Sequence, residues 1–304
     1  MAKDNKKLWG IDLGGTKIEG VVINSPNISE VLCRTRISTE ADKGYKHILN
    51  RIKELIGLMS EEVKSTPEIL GIGTPGNLDP QTYLLKNSNS TSLNGQPFKQ
   101  DLEDLLGIEV KMANDANCFA LAETRLGIVQ DINSDAEVVF GVIMGTGVGG
   151  GLVVNGKVIN GHQGIGGEWG HNFLDASGGK CYCGKSGCVE TIIAGPALER
   201  YYQGLSGEHK KLKDIVIQQE GDKYAAATLE RLAHFFGLGI SNIINILDPD
   251  VIVLGGGVGN IDILYNRGVK EAEKYTFNTS LKTPIVRPKL GDSAGVFGAA
   301  LLVS

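Results

Sequence analysis

Two segments far apart in the chain share one pattern: an apolar strand, a glycine turn and a returning apolar strand. The first covers residues 8–24 around Gly14-Gly15, and the second covers residues 138–154 around Gly145-Thr146-Gly147. Alternating apolar residues interrupted by a short glycine turn are typical of a β-hairpin. The recurrence of this hairpin predicts an internally duplicated chain with two lobes, each of which begins with such a hairpin.

Between and after the hairpins, amphipathic helices alternate with short apolar strands. Helices are predicted where apolar residues recur every three or four positions, over residues 45–59, 98–106 and 224–247. Strands are predicted over residues 70–73, 109–112 and 251–254. The chain has 304 residues, more than one hydrophobic core usually supports. We therefore expect an α/β fold of two lobes with a cleft between them.

Glycine clusters follow three of the predicted strands, at residues 14–15, 145–151 and 255–257, and the chain has 42 glycines in all. Without a Cβ in the way, the N–H groups of such turns can approach phosphate oxygens closely. Each turn alone is equally compatible with a purely structural hairpin. None has Walker A spacing, and a hairpin does not match the Rossmann fingerprint, so a different nucleotide-binding fold is required.

Together the three clusters predict a site for ATP, with Asp12 placed to hold the water shell of Mg²⁺. Hydroxyl and ammonium groups beside two of the turns would add donors for phosphate. The predicted nucleotide and Mg²⁺ contacts are Asp12, Gly14, Gly15, Thr16, Lys17, Gly145, Thr146, Gly147, Gly255, Gly256 and Gly257.

Asp115 stands where a predicted strand gives way to a predicted helix. In that position it could cap the N-terminus of the helix, and Asn114 has the same structural interpretation. The functional alternative is phosphoryl transfer to an alcohol, which needs a positioned base. Asp115 would then accept the proton of the attacking hydroxyl, while Asn114 binds a neighbouring hydroxyl. The residues alone leave both interpretations open.

Residues 171–188 contain one histidine and three cysteines, namely His171, Cys181, Cys183 and Cys188. This soft set of four ligands suits tetrahedral Zn²⁺, and a site filled by four protein ligands is structural rather than catalytic. The alternative is a group of reduced thiols. Glu168 and Glu190 flank the cysteines, where they could either bind sugar hydroxyls or remain solvated surface charges.

The overall charge and the apolar pattern argue against two classes of partner. A net charge of -5 and a pI near 5.6 disfavour binding to nucleic acid. Met1–Lys7 lacks the apolar core of a signal peptide, and no apolar run reaches about 18 residues. Five cysteines, an odd number, do not match a secreted disulfide framework. We expect a cytoplasmic protein without a membrane partner.

Five motifs in fixed order resemble the sugar kinases of the ROK group, within the actin, hexokinase and Hsp70 fold superfamily. They lie at residues 11–17, 114–117, 145–149, 167–171 and 181–188, and the resemblance covers nearly the whole chain. It implies two RNase H-like lobes that close over ATP and sugar. The small N-terminal lobe would contain residues 1–117 and 292–304, and the large C-terminal lobe, residues 118–291, would carry the zinc loop.

The resemblance also implies an activity, transfer of the γ-phosphoryl group of ATP to a hexose hydroxyl, O6, with Asp115 as the catalytic base. A homodimer is the usual arrangement in this family. The implied sugar contacts are Gly76, Asn89, Asn114, Asp115, Glu168, His171 and Glu190. His171 would then serve both zinc and sugar.

The preferred hexose and one other family function are open alternatives. Residues 86–91, 93–98 and 168–172 are most similar to the fructokinase branch, so fructose is the predicted sugar. N-acetylglucosamine kinases share residues 114–121 and 145–151, which makes N-acetylglucosamine or glucose the alternative. The family also includes sugar-responsive repressors, which carry a DNA-binding helix-turn-helix before the first hairpin. Only about seven residues precede the first strand here, which favours the kinase.

Overall fold

The computed structural model describes residues 6–25 and 30–304. The prediction that Met1–Lys7 contains no signal peptide therefore falls mostly outside the described residues. The chain forms two compact units. The first unit consists of the described residues up to Leu126, with Lys157–Gly166 and Leu290–Ser304, and the second of Gly127–Gly156 and Gly167–Lys289. The lobe boundaries expected from the sequence, after residues 117 and 291, stay a prediction.

Both units contain strands and helices. The strands are β1 (Lys7–Leu13), β2 (Lys17–Asn24), β3 (Val31–Ser38), β4 (Ile69–Thr74), β5 (Asn77–Leu78), β6 (Leu85–Lys86), β7 (Glu109–Asn114), β8 (Val138–Met144), β9 (Val148–Val154), β10 (Lys157–Val158), β11 (Val251–Gly255) and β12 (Ile285–Val286). The helices are α1 (Tyr45–Val63), α2 (Phe98–Leu106), α3 (Asp115–Arg125), α4 (Ile128–Ile132), α5 (Glu190–Ile193), α6 (Gly195–Ser206), α7 (Leu212–Ile217), α8 (Lys223–Leu247), α9 (Gly256–Gly259), α10 (Val269–Tyr275) and α11 (Ala294–Leu301). Among the described helices, none is both long enough and apolar enough to cross a membrane.

Both units are built on the same strand arrangement. In the first unit the order is β3-β2-β1-β4-β7, with β1, β2 and β3 antiparallel and β4 and β7 parallel to β1. In the second unit β9, β8, β11 and β12 follow in that order, with an antiparallel β8–β9 hairpin and two strands parallel to β8. The predicted α/β class and the duplicated hairpin are therefore confirmed.

The core of the first unit lies between the sheet and helix α1 on one face, and α11 packs on β1 and β4. The predicted apolar stripe of α1 is buried, from Ile48 to Met59. Helix α11 approaches the strands so closely that two strand positions must be glycine. A Cβ at Gly71 would overlap the backbone carbonyl of Ala299, and one at Gly10 would overlap the backbone of Ala300.

Helix α8 is the centre of the second unit's core. Its buried face includes Leu232, Phe236 and Ile240, which belong to the same cluster as Phe140 and Trp169. The helix begins after Asp222, whose carboxylate accepts the N–H groups of Tyr224 and Ala225, and it ends at Asp248 in a left-handed conformation. The long buried helix predicted from the sequence is therefore confirmed, with the stop at the predicted position.

We expect the substitutions Gly71→Ala and Gly57→Ala to change stability in opposite directions. The methyl group added at position 71 would force α11 away from β4, which should destabilise the protein by about 3 kcal/mol. Gly57 lies in α1 with open space around its Cβ position, so alanine there should stabilise the helix by roughly 0.8–1 kcal/mol. Denaturant unfolding of both variants measures the difference. Equal midpoints would contradict the close packing of α11.

Candidate active site

The first predicted phosphate turn is a tight, braced turn between β1 and β2. The N–H of Gly14 donates to the carbonyl of Lys17 at 3.0 Å, which closes the turn. Thr39, which follows β3, braces it from outside, because its hydroxyl donates to the carbonyl of Gly14 at 2.7 Å. Gly15, Thr16 and Lys17 remain exposed. The predicted contacts of the first unit are thus accessible on a fixed backbone.

Asp12 lies at the end of β1, directly before this turn and in register with Gly73 of β4. A Cβ at Gly295 of α11 would stand 2.9 Å from Asp12 Oδ2, so that glycine leaves room for the carboxylate. Burial, with added repulsion from Asp115 and Glu19, raises the pKa of Asp12 to about 7. The structure therefore brings Asp12 and Asp115 into one electrostatic neighbourhood that favours a cation.

Glu19 is a buried carboxylate opposite Asp12 that the sequence analysis missed. It is 2% exposed and is the cross-strand partner of Asp12. Two arginines of β3 hold it, Arg34 Nε at 2.6 Å and Arg36 at 2.8 Å from its two oxygens. The alternating arginines on a strand that follows the hairpin are the signal that could have revealed this pair of contacts.

The structure corrects the assignment of the helix cap beside Asp115. Strand β7 ends at Asn114 and α3 begins at Asp115, so the N-cap is Asn114, whose Oδ1 accepts the N–H of Asn117 at 2.7 Å. The capping interpretation is therefore confirmed for Asn114 and wrong for Asp115. The carboxylate of the exposed Asp115 accepts the neighbouring N–H of Ala116 at 2.8 Å. A hydrogen bond from Asn114 to a sugar would have to come from Nδ2.

Gly76 and Asn89, two predicted sugar contacts, belong to the loops of the β5–β6 hairpin region. Gly76 has φ of 86° and lies against the backbone of Lys86 and Ser88, so no side chain fits there. The exposed Asn89 follows Ser88, whose N–H and carbonyl are both held by the Asn94 amide at 2.8 Å. The side chain of Asn94 therefore fixes the backbone of this loop, a contact that the sequence did not predict.

The glycine turns of the second unit pack against one another. The Gly145 N–H donates to the Gly147 carbonyl at 2.9 Å, and the Gly195 N–H donates to the Gly145 carbonyl at 2.8 Å. A Cβ at Gly256 would overlap the backbone of Met144, directly before the first turn. Gly255 is the last residue of β11, and Gly256 begins α9, so the third cluster is a strand-to-helix junction rather than a free turn. Gly195, at the start of α6, was missed.

A short 3₁₀ segment, Trp169–His171, lies on β9, with Glu168 as its N-cap and His171 as its last residue. A Cβ at Gly170 would overlap the carbonyl of Val148, and Trp169 Nε1 donates to the carbonyl of Gly149 at 3.3 Å. The backbone of this segment therefore lies directly on the strand. This contact fixes the backbone that carries Glu168 and His171.

Glu190 contacts the glycine turn as well as the cysteine loop. It is the first residue of α5, and its Oε2 accepts the N–H of Val148 at 3.0 Å. Its Oε1 lies 4.0 Å from the Sγ of Cys181. The sequence predicted a sugar contact at this position but did not predict the contact with the turn.

The four predicted zinc ligands converge in the second unit. The ligand atoms of His171, Cys181, Cys183 and Cys188 all lie within 4.8 Å of one another. The Nδ1 of His171 is 3.6 Å from the Sγ of Cys181, and the Sγ atoms of Cys183 and Cys188 are 3.7 Å apart. Zn–S bonds of about 2.3 Å give a tetrahedral edge of about 3.8 Å, so this donor set fits Zn²⁺.

A tyrosine orients the histidine of this cluster. The His171 Nε2 lies 3.0 Å from the hydroxyl of Tyr182, while its Nδ1 faces the cysteines. Such a partner on the second ring nitrogen commonly fixes the tautomer of a metal-binding histidine. All five cysteines, which lie within the described residues, are free thiols, so no disulfide competes with metal binding.

Comparisons with known proteins agree with this arrangement. The pattern of the ROK family matches residues 8–304. The chain belongs to the ROK family. An N-acetyl-D-glucosamine kinase of Vibrio cholerae is 37% identical over 307 residues, which cover 97% of this chain and 98% of the relative. Because the match extends over nearly the whole length of both proteins, the family predicted from the five motifs is confirmed.

Two solved ROK structures share the fold of this ROK protein. The ROK hexokinase of Thermus thermophilus has a TM-score of 0.87 and 32% identity, with 98% of this chain and 97% of that chain covered. A ROK glucokinase of Streptomyces griseus, solved with glucose and AMPPNP, has a TM-score of 0.77 and 27% identity, with 98% and 99% covered. The predicted two-lobed, hexokinase-like fold class is therefore confirmed.

We expect Asp12→Asn to change how stability depends on pH in the protein without nucleotide or Mg²⁺. The folded-state pKa of Asp12 is about 7, above its ordinary value of about 3.9, so the folded state retains a proton that the unfolded state releases. The contribution of Asp12 to stability should therefore fall as pH rises through this window, by about 1.4 kcal/mol per pH unit between pH 5 and 6. Denaturant unfolding at several pH values measures the slope.

The variant should lack this contribution, because asparagine does not titrate. The comparison is the difference in unfolding free energy between wild type and Asp12→Asn at each pH. A difference that stays constant from pH 5 to pH 7 would contradict the raised pKa of Asp12.

Proposed function

We propose that this ROK protein transfers the γ-phosphoryl group of ATP to O6 of N-acetylglucosamine. That it is an ATP-dependent sugar kinase follows from its family and from its relatives, which are sugar kinases. The support for this particular sugar is the 37% identity with an N-acetyl-D-glucosamine kinase over nearly both full lengths. Glucose is the second candidate, because a ROK glucokinase shares the fold at 27% identity.

The matched relatives favour N-acetylglucosamine over fructose, the sugar expected from residues 86–91, 93–98 and 168–172. The residues of the first two segments suggest why. The resemblance in this region does not report on the sugar, because several of its residues have a structural role in this protein. Leu93 and Phe98 are buried in the core of the first unit, and Asn94 holds the backbone of Ser88. Similarity in such positions preserves a loop, whatever sugar the loop serves.

The observation that carries the proposed chemistry is the placement of Asp115 at the start of α3, in the electrostatic neighbourhood of Asp12. In the proposed reaction Asp115 accepts the proton of the sugar O6 as that oxygen attacks the γ-phosphorus. Asp12 would hold the water shell of Mg²⁺, which supplies charge neutralisation on the phosphates when bound. Asp115 is thus the residue that activates the acceptor.

The remaining predicted contacts divide between nucleotide and sugar. We propose that the phosphates of the nucleotide are bound by the turns at Gly14–Lys17, Gly145–Gly147 and Gly255–Gly257. Their N–H groups and hydroxyls would act as donors. Hydroxyls of the sugar would contact the backbone of Gly76 and the polar side chains of the set. Those side chains are Asn89, Asn114, Glu168, His171 and Glu190.

We further propose that the cysteine cluster holds a structural Zn²⁺ in the folded protein. Its four donors fit tetrahedral zinc and leave no open position for substrate, so zinc would order the loop and not act on the sugar. We also propose a cytoplasmic location, expected from the sequence, and a homodimer, which the family resemblance implies.

The preferred sugar is tested by measuring kcat/KM for N-acetylglucosamine, glucose, mannose and fructose with ATP and Mg²⁺. We expect N-acetylglucosamine to exceed fructose by at least about a hundredfold, roughly 2.7 kcal/mol in transition-state stabilisation. Phosphorylation at O6 is checked by nuclear magnetic resonance of the product. A higher kcat/KM for fructose would reject the proposed sugar while leaving the kinase class intact.

Asp115→Asn should lower kcat by about 10²- to 10⁴-fold while the KM values for sugar and ATP change little, because asparagine keeps the shape but cannot accept the proton. Asp131→Asn is the matched control. Asp131 forms a surface ion pair with Lys289 at 2.6 Å, so the same chemical change there should leave kcat unaltered. Turnover of Asp115→Asn near the wild-type value would rule out its role as the base.

Cys183→Ser should remove zinc and loosen the loop. Metal analysis of purified protein is expected to find about one zinc per wild-type chain and much less in the variant, because serine is a poor ligand for this soft site. The melting temperature should fall with the metal, since structural zinc contributes directly to folding. Wild-type protein that is purified without chelators and contains no zinc would contradict the assignment.

A further inference from the structure

Glu190 lies between the cysteine loop and the second glycine turn, within the second unit. It follows Cys188 by two residues and opens helix α5. One carboxylate oxygen accepts the N–H of Val148 at 3.0 Å, and the other lies 4.0 Å from the Sγ of Cys181. A single side chain therefore contacts both a predicted zinc ligand and the backbone that continues the turn.

The carboxylate lies directly against the turn, with no space between them. A Cβ at Gly147 would stand 2.5 Å from Glu190 Oε2, so a side chain at that position would displace the carboxylate from the turn. On the other side of the turn, the Gly195 N–H donates to the Gly145 carbonyl at 2.8 Å. Residues 190–195 thus hold the turn at both ends, by a carboxylate at one and a backbone N–H at the other.

We propose that Glu190 is a positioning residue for the nucleotide, which fixes the Gly145–Gly147 turn in its phosphate-binding conformation and connects that turn to the cysteine loop. This rests on the assignment of the turn to nucleotide phosphate made above. Glycine turns lose much conformational entropy when they order, and a turn that is ordered in advance binds its ligand more tightly. A hydrogen bond to a charged acceptor is about twice as strong as a neutral one, which suits it to this task.

The proposal differs from a role in sugar binding alone, which the family resemblance implies for Glu190. A residue that only contacts sugar affects the sugar KM and leaves nucleotide affinity in the absence of sugar unchanged. A residue that holds the turn affects nucleotide affinity even when no sugar is present. Both tasks can coexist, because the two carboxylate oxygens face different neighbours.

The test is the dissociation constant of ADP, measured calorimetrically without sugar on the zinc-containing protein. Glu190→Ala should weaken ADP binding about tenfold. Glu190→Gln should remain within about threefold of wild type, because the amide oxygen can still accept the Val148 N–H. Glu199→Ala is the matched control, since Glu199 also accepts a backbone N–H, that of Leu212 at 3.0 Å, but does so at α7.

Amide hydrogen exchange of residues 145–148 is a second measurement, which is made without nucleotide and reports directly on the order of the turn. Exchange should accelerate in Glu190→Ala and stay near wild type in Glu190→Gln and Glu199→Ala. If Glu190→Ala does not fold or loses its metal, Glu190→Asp replaces it. Its carboxylate is one methylene shorter and cannot reach Val148, so the same tenfold loss is expected.

Wild-type ADP affinity in the folded, zinc-containing Glu190→Ala or Glu190→Asp variant would overturn the proposal. Thr146→Ala, at the exposed tip of the turn, separates this failure from a failure of the proposed function. Weakened ADP binding in Thr146→Ala with wild-type binding in the Glu190 variants would leave the nucleotide site standing and reject only the role of Glu190. Wild-type binding in all of them would reject the nucleotide assignment of the turn.

Discussion

Direct contact between backbones, at positions where only glycine fits, is the constraint on which both units depend. Gly71 of β4 lies against the Ala299 carbonyl of the last helix, Gly170 lies against the Val148 carbonyl, and Gly256 lies against Met144. Each contact brings a helix or loop to a strand without an intervening side chain. The backbone next to each contact is therefore held rigidly, and this fixes where the neighbouring side chains begin.

The duplicated architecture carries different chemistry in its two units. In the first unit, the end of β1 and the start of α3 present Asp12 and Asp115, beside a turn braced by Thr39. In the second unit, the corresponding hairpin turn is held by the segment that follows the cysteine loop. One arrangement of strands thus supports a pair of carboxylates in one unit and, in the other, a braced turn beside a cluster of one histidine and three cysteines.

The sequence predicts the parts of this fold that depend on local patterns. The two hairpins, helix α8 and its end at Asp248, and the four clustered ligands all follow from periodicity, turn chemistry and spacing along the chain. Contacts made at long range do not. The arginines that hold Glu19, the bond of Glu190 to Val148 and the N–H of Gly195 under the turn depend on tertiary packing, which no local pattern encodes.

Asp12 and Glu19 show why a carboxylate's partners matter more than its position in a motif. The two are cross-strand neighbours, and Glu19 is neutralised by Arg34 and Arg36 at 2.6 and 2.8 Å. Without those arginines, two negative charges would face each other in a region of low dielectric. The arginines offset part of the repulsion from Glu19, and Arg36 itself lowers the pKa of Asp12. In the cation site proposed above, the ion pairs between buried Glu19 and the two arginines of β3 would therefore favour the charged form of Asp12.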